Sequence, residues 1–190
     1  MKKSEKKRKK RLLLFLIPLA VIILLVLFSR KTAEHMYPLK YTEYVNKYSA
    51  EYNVPKDLLY ATIAVESGFD EKAKSNVGAL GLTQIMPDTL VWLEKKTGEE
   101  YTAEDLYNPE VSIKYCAYLY SILFEKYGTR DEAICAYHAG INQVAVWLQN
   151  EEYSADGKTL DRIPSKVTEH YLNKVINAIN IYNKLYEKEF

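Results

Sequence analysis

A long apolar segment near the N-terminus, flanked by positive charge, constrains the fold of this chain more than any other feature. The segment runs without interruption for 17 residues, from Leu12 to Phe28, and contains Pro18. As an α-helix it would span about 25 Å, enough for a bilayer core with help from the interfaces, and proline is tolerated inside membrane helices. The sequence therefore predicts a transmembrane anchor at residues 12–28.

The charges beside this segment predict its orientation. Residues 1–11 hold eight Lys or Arg and one Glu, a net charge of +7, which places this basic tail in the cytoplasm. The rest of the chain would then be extracytoplasmic, on a single-pass protein of the cell membrane. A cleaved signal peptide is the alternative, but residues 26–31 lack the pair of small residues that cleavage requires. The uncleaved anchor is the favoured interpretation.

Beyond the anchor, the pattern is helical. Apolar residues recur at helical spacing, and Pro55, Pro87 and Pro109 can each begin a helix. No convincing alternation of apolar and polar residues predicts a strand ladder. We therefore expect an all-α domain at residues 39–190, joined to the anchor by a short polar linker at residues 29–38. Outside the basic tail the net charge is −6, which argues against a nucleic-acid partner.

Several helix ends can be predicted from local signals. The helix that begins at Pro87 is expected to be short and to continue through Trp92. The spacing Thr102-x-x-Asp105 resembles a capping box, and the same spacing of a hydroxyl and an acid recurs at Thr129 and Glu132.

The two cysteines, Cys116 and Cys135, allow two interpretations. Thiols of an exported domain can form a disulfide bridge, but small buried residues in neighbouring helices are the favoured interpretation. Neither cysteine has metal-ligand spacing to the three histidines of the chain. No metal or cofactor is expected.

Glu66 is the candidate catalytic acid. It follows an otherwise apolar helical stretch, residues 58–65, and precedes a loop. Desolvation at such a position raises a carboxyl pKa, to about 6 here, which makes the group useful as an acid near neutral pH. The alternative is a solvated glutamate at a helix C-terminus, which the helix dipole slightly disfavours.

Two further motifs supply binding groups. The loop Gly78–Pro87 contains two glycines, which let the backbone approach a ligand closely, and Gln84, whose amide can both donate and accept hydrogen bonds. The segment Ala136–Gly140 places Tyr137 and His138 beside small residues at the end of another helix.

Together these motifs resemble the soluble lytic transglycosylase (SLT) domain family. The matching segments are Glu66-Ser67, Gly78–Pro87, Asn108-Pro109 and Ala136–Gly140, in the family's order and spacing over residues 48 to 178. The resemblance implies a goose-type-lysozyme-like helical domain. It also implies cleavage of the β-1,4 bond between N-acetylmuramic acid (MurNAc) and N-acetylglucosamine (GlcNAc) in peptidoglycan, which leaves a 1,6-anhydro end.

The resemblance also implies a set of site residues. Glu66 matches the catalytic glutamate and would be the sole general acid/base. The implied partners are peptidoglycan glycan strands, while protein partners are not predicted. The residues expected to bind the glycan are Ser75, Gln84, Met86, Tyr137, His138 and Tyr171.

Three positions depart from the family pattern. His138 replaces the usual asparagine and is either a hydrogen-bonding partner of the glycan or a structural residue at a helix end. Val167 stands where a groove glutamate is common, and Thr83 where methionine is usual. The change at Val167 affects how the groove holds its substrate at that end and leaves the identity of the acid unchanged, while Thr83 is a minor change.

The inventory of carboxylates fits a lytic reaction. Most glycosidases need two carboxyl groups, and the nearest candidates for a second one, Asp70 and Glu71, are expected at the surface past Gly68. A lytic transglycosylase needs Glu66 alone. A lysozyme-type hydrolase that uses water and an inactive glycan-binding scaffold are the alternative functions.

Overall fold

The structure, a computed structural model, describes residues 22, 25 and 28–190. The chain divides into two compact units, Met1–Pro38 and Leu39–Phe190. In the first unit, residues 28–36 are helical, although they fall mostly in the predicted linker. Among the residues described, no helix is both long enough and apolar enough to span a bilayer. The predicted anchor lies almost entirely outside these residues.

The second unit, which the structure describes in full, is built from seven α-helices and one 3-10 helix. The α-helices are α1 Thr42–Tyr52, α2 Lys56–Glu66, α3 Pro87–Thr97, α4 Pro109–Tyr127, α5 Arg130–Ala139, α6 Ile141–Leu148 and α7 Lys166–Leu185, and the 3-10 helix is Ala103–Tyr107. Extended pairing in this unit is limited to two isolated bridges, Lys74 with Leu80 and Leu80 with Ile85. The all-α prediction is confirmed for this unit.

The helix ends agree only in part with the predicted signals. Thr102 and Asp105 form the expected capping box, which begins the 3-10 helix. Thr129 is the N-cap residue of α5, as predicted, but the predicted capping box is wrong: its hydroxyl donates to the Glu132 carboxylate and caps no backbone N–H. Glu132 is buried and accepts the N–H of Leu160 instead. Helix α3 also continues past Trp92 to Thr97.

Helices α2, α5 and α7 carry Glu66, Tyr137 and Tyr171, each near one end of its helix. Helix α7 packs against both α2 and α5, and α5 packs against the long helix α4. On α2, Leu58, Leu59 and Ile63 are at most 1% exposed, and each such side chain contributes roughly 1.5–3 kcal/mol by burial. The backbone from which Glu66 projects is therefore held firmly by the core.

Both cysteines are free and buried. Burial raises the pKa of each thiol to about 12, so neither is a ready thiolate nucleophile. The favoured interpretation, two buried thiols, agrees with this structure.

Candidate active site

Glu66 is the last residue of α2. There the apolar helix contacts the loop Gly78–Pro87, which we call the glycine loop. The next residue fixes this junction, because the Ser67 hydroxyl donates to the Leu82 carbonyl at 2.8 Å. The helix end and the loop are thereby held together around the carboxyl group.

The surroundings of Glu66 favour its protonated form. Burial raises the pKa of this carboxyl group to about 7, and a hydrogen bond from Tyr171 partly opposes the rise. The Tyr171 hydroxyl donates to Glu66 Oε1 at 2.7 Å. Because this bond fixes one carboxyl oxygen, the proton of the acid is directed to the other. The pKa is higher than the value of about 6 expected from the sequence and lies close to neutral pH, as general acid catalysis requires.

The glycine loop uses Gln84 differently from what the sequence suggests. Gln84 adopts a left-handed backbone conformation with φ of 51°. Its amide nitrogen donates to the carbonyls of Ala73 at 3.2 Å and Gly81 at 2.9 Å. The donor atoms therefore hold the loop together, and the amide oxygen is the group that Gln84 can offer to a ligand.

Of two other predicted binding residues, Ser75 lies just before this loop and Met86 lies near its end. The Ser75 hydroxyl accepts the N–H of Ala79 at 2.9 Å and closes a tight turn. Met86 immediately precedes α3 and is 38% exposed. Met86 thus offers an accessible apolar surface, whereas Ser75 already has a structural contact.

Tyr137 connects the glycine loop to the core. Its hydroxyl donates to the Thr83 carbonyl at 2.7 Å, and its ring stacks on Tyr120 at a centroid distance of 4.6 Å. Thr83 is buried, and its hydroxyl pairs with that of Ser112 at 2.9 Å. The sequence marks Tyr137 as a site residue and Thr83 as a departure from the family pattern, but it does not predict the pairing of Thr83 with Ser112, because no local pattern connects residues 29 positions apart.

His138 lies against the tyrosine that binds the acid. Its ring stacks on Tyr171 at 4.5 Å between centroids, and its Nδ1 lies 3.2 Å from the Thr168 hydroxyl. Burial lowers the pKa of His138, so the imidazole is neutral near neutral pH. His138, Tyr171 and Glu66 thus form one contiguous series of contacts.

We expect His138→Asn to move the acidic limb of the pH–rate profile to lower pH while substantial activity remains. A His138 imidazolium would stabilise the Glu66 carboxylate and weaken it as an acid. Since the pKa of His138 is lowered from 6.5, the activity of the wild-type protein should fall at a pH below 6.5. The profiles of both proteins on purified peptidoglycan test this, and superimposable acidic limbs would leave His138 with a structural role only.

The remaining positions of interest lie at the surface. Val167 is 68% exposed at the start of α7, beside Thr168. Asp70 accepts the N–H of Lys72 at 2.9 Å, and Glu71 accepts the hydroxyl of Tyr41 at 3.3 Å. Neither carboxylate is among the groups that shift the Glu66 pKa.

The arrangement suits proton transfer. It combines one carboxyl group with a pKa near 7, an adjacent hydroxyl donor, an exposed thioether and an amide oxygen. Within the described part of the chain, no group of three or more His, Cys, Asp or Glu side chains could hold a metal ion.

Comparison with known proteins identifies the family. The model of the transglycosylase SLT domain matches residues 43–160, more than half of the chain. The chain belongs to this family. The match includes Glu66, the glycine loop and the Ala136–Gly140 segment.

Several SLT-domain relatives are lytic transglycosylases. The soluble lytic murein transglycosylase of Escherichia coli K12 is 30% identical over 147 residues, which are 75% of this chain and 23% of the relative. The transglycosylase of Enterobacteria phage PRD1 is 30% identical over 66% of this chain and 43% of its own length. Membrane-bound lytic murein transglycosylase C of Glaesserella parasuis is 27% identical over 77% of this chain and 46% of its own length.

Solved structures show the same fold. The 70 kDa soluble lytic transglycosylase of Escherichia coli superimposes with a TM-score of 0.71 at 29% identity, covering 80% of this chain and 25% of that protein. A lytic transglycosylase of Pseudomonas aeruginosa gives a TM-score of 0.69 at 27% identity, over 78% of this chain and 24% of that one. This SLT chain therefore spans about a quarter of the length of these relatives, and the expected lytic transglycosylase fold is confirmed.

Proposed function

We propose that this SLT-domain chain is a lytic transglycosylase that cleaves the MurNAc–GlcNAc β-1,4 bond of peptidoglycan, with Glu66 as its only general acid/base. The observation that carries the proposal is the state of Glu66, a partly buried carboxyl group whose pKa is raised to about 7. The relatives named lytic murein transglycosylases and the SLT-domain match support the same activity.

The proposed reaction needs one carboxyl group. Protonated Glu66 gives its proton to the glycosidic oxygen, and the bond from that oxygen to C1 of MurNAc breaks. The resulting Glu66 carboxylate then takes the proton of the MurNAc 6-hydroxyl, whose oxygen bonds to C1 and closes the 1,6-anhydro ring. Glu66 ends the cycle protonated, and no water is consumed.

Each residue predicted to bind the glycan has a role in the proposed reaction. The hydrogen bond from Tyr171 orients the acid and stabilises the carboxylate formed midway through the reaction. The proposed glycan contacts are the Gln84 amide oxygen, the Met86 thioether, the Tyr137 ring and the His138 imidazole. Ser75 acts mainly by shaping the turn that precedes the glycine loop.

Release of fragments from insoluble peptidoglycan tests the proposed activity against the scaffold alternative. An enzyme converts turbid peptidoglycan into soluble, sugar-containing fragments. A glycan-binding scaffold sediments with the peptidoglycan and releases nothing. Sedimentation of the full-length protein without soluble fragments would contradict the proposal.

We also propose that residues 12–28 anchor the protein in the cell membrane, with the basic tail in the cytoplasm and the SLT domain outside. The +7 charge of residues 1–11 and the 17-residue apolar run support this topology. The relatives named membrane-bound lytic murein transglycosylase C support an association with membranes. Such an anchor would keep the enzyme within reach of the wall.

The full-length protein should remain in membranes after carbonate washing and keep its original N-terminus. Protease added to cells with an opened wall should remove the SLT domain and spare the basic tail. N-terminal sequencing and immunoblotting measure both. A mature protein in the medium, with a new N-terminus near residue 30, would favour a cleaved signal peptide instead.

A further inference from the structure

A cavity of about 520 Å³ lies beside the candidate active site and shares Tyr137 with it. One wall is α3, which begins directly after Met86. The other wall is the chain that leaves His138 and enters α6 through Gly140. Both walls thus continue the segments that carry the predicted glycan contacts.

The lining of this cavity combines an aromatic ring, an apolar floor and free amides. Trp92 projects from α3 and is half-buried, while Leu119 and Leu123 of α4 form the floor. Asn142 and Gln143, at the start of α6, are exposed at the opposite wall. Ligand sites in proteins characteristically pair apolar and aromatic surface with a few polar groups that fix orientation.

This combination matches the chemistry of an N-acetylated sugar. A pyranose ring presents C–H groups on its faces, which pack against an aromatic side chain, and hydroxyl groups around its edge. An acetamido group has one donor and one acceptor, which the side-chain amides of Asn142 and Gln143 can both satisfy. Charged ligands are less well matched, because Asp88 is the cavity's sole ionisable side chain other than the Tyr137 phenol.

The helix that carries Trp92 is held in place before any ligand binds, and Lys96 limits the motion of the indole ring. The neighbours of Trp92 on α3, Leu90 and Leu93, are at most 1% exposed, which fixes the helix in the core. The Lys96 ammonium lies over one face of the indole ring, 5.1 Å from its centroid. A ring ordered in advance loses little conformational entropy on binding, which favours affinity.

We propose that Trp92, together with Asn142 and Gln143, forms a subsite for an N-acetylated sugar distant from the cleaved bond. From Met86 to Trp92 the chain advances about 9 Å at the rise of an α-helix, so the subsite holds a sugar farther along the same strand. The proposal rests on the proposed function, since its ligand is the glycan that Glu66 cleaves. It gives the enzyme a preference for longer strands.

Binding of sugars of increasing length tests the subsite. The parent is full-length Glu66→Gln in detergent, which leaves the ligand uncut, and the probes are peptide-free β-1,4-linked GlcNAc oligomers. Affinity should rise with oligomer length in the parent. An added Trp92→Ala should reduce the ratio of long-oligomer to short-oligomer affinity by about tenfold, and Trp92→Phe should restore part of it.

Val91→Ala provides the matched control. Val91 lies next to Trp92 on α3, is 48% exposed and does not line the cavity, so this variant should keep the length dependence of the parent. An unchanged affinity ratio in Trp92→Ala would overturn the subsite, as would an equal loss at every length. An effect confined to strands carrying stem peptides would also overturn it, because the ligand would then be peptide.

A failure of the proposed function and a failure of the subsite alone give different results in these experiments. If the wild-type protein released no fragments from peptidoglycan and the parent bound no oligomer of any length, the function and the subsite would fail together. If the wild-type protein released fragments but Trp92→Ala left the dependence of affinity on oligomer length unchanged, only the subsite would fail.

Discussion

Glu66→Gln should lower the rate of peptidoglycan cleavage by about 10² to 10⁴, the range typical for loss of a general acid/base. Glutamine has nearly the same shape and can still accept the hydrogen bond that Tyr171 donates at 2.7 Å, but it cannot give or take the proton. The expected loss is therefore in kcat, with binding of the glycan retained. Turnover of soluble fragments by both proteins, at matched concentration, measures the effect.

The stability of Glu66→Gln separates a catalytic loss from misfolding. The pKa of Glu66 is raised from 4.5 to about 7 by burial, so ionisation of this buried group destabilises the wild-type fold as pH rises from 4.5 through 7. This loss of unfolding free energy is absent below pH 4.5 and fully present above about pH 7, where it reaches up to about 3 kcal/mol. Glutamine does not ionise, so the variant should gain stability relative to wild type across this range. Near-normal turnover in a folded variant would remove Glu66 from the mechanism.

Gly81→Ala should destabilise the protein by more than about 3 kcal/mol and abolish activity, an effect in the exceptional range for one substitution. Gly81 has φ of +71°, and a Cβ there would lie 1.9 Å from the Leu106 carbonyl oxygen and 2.9 Å from its carbon. Backbone atoms cannot rotate away, so either the glycine loop or the 3-10 helix must move. The Gly81 carbonyl also accepts the Gln84 amide, so movement of the loop would displace the site.

Gly98→Ala is the matched control for this prediction. Gly98 has nearly the same backbone conformation, with φ of +73°, but a Cβ there meets nothing within 4 Å. Gly98→Ala should therefore lower the free energy of unfolding only through backbone strain, by about 1 kcal/mol. Thermal and denaturant unfolding of both variants, followed by near-ultraviolet circular dichroism, gives the comparison. Equal destabilisation by the two substitutions would show that contact with Leu106 is unimportant.

The helices and the acid could be predicted because their signals are local. Proline at helix starts, as at Pro87 and Pro109, and glycine at helix ends, as at Gly128, depend only on neighbouring backbone groups. Glu66 could be located by the apolar stretch before it and the loop after it. The predicted capping box at Thr129 does not form, because the Glu132 carboxylate accepts the N–H of the distant Leu160 and the Thr129 hydroxyl instead of a backbone N–H at the helix start.

The contacts that tune the site could not be predicted, since they join residues far apart in sequence. Tyr171 reaches Glu66 across 105 positions, and Tyr137 reaches Thr83 across 54. The family resemblance identified both tyrosines as site residues but predicted neither hydrogen bond. Trp92 carried no recognisable signal, because its importance depends on a cavity that forms only when α3, α4 and α6 pack together.

The fate of solvent oxygen in the cleaved strand tests the central claim most directly. Purified peptidoglycan is digested by the full-length protein in water enriched in oxygen-18, and the MurNAc ends of the products are analysed by mass spectrometry. The one-carboxylate mechanism predicts 1,6-anhydro ends that contain no label, because the 6-hydroxyl of the sugar replaces water. Reducing ends that carry one oxygen-18 atom would contradict the mechanism and show that the SLT domain acts as a hydrolase.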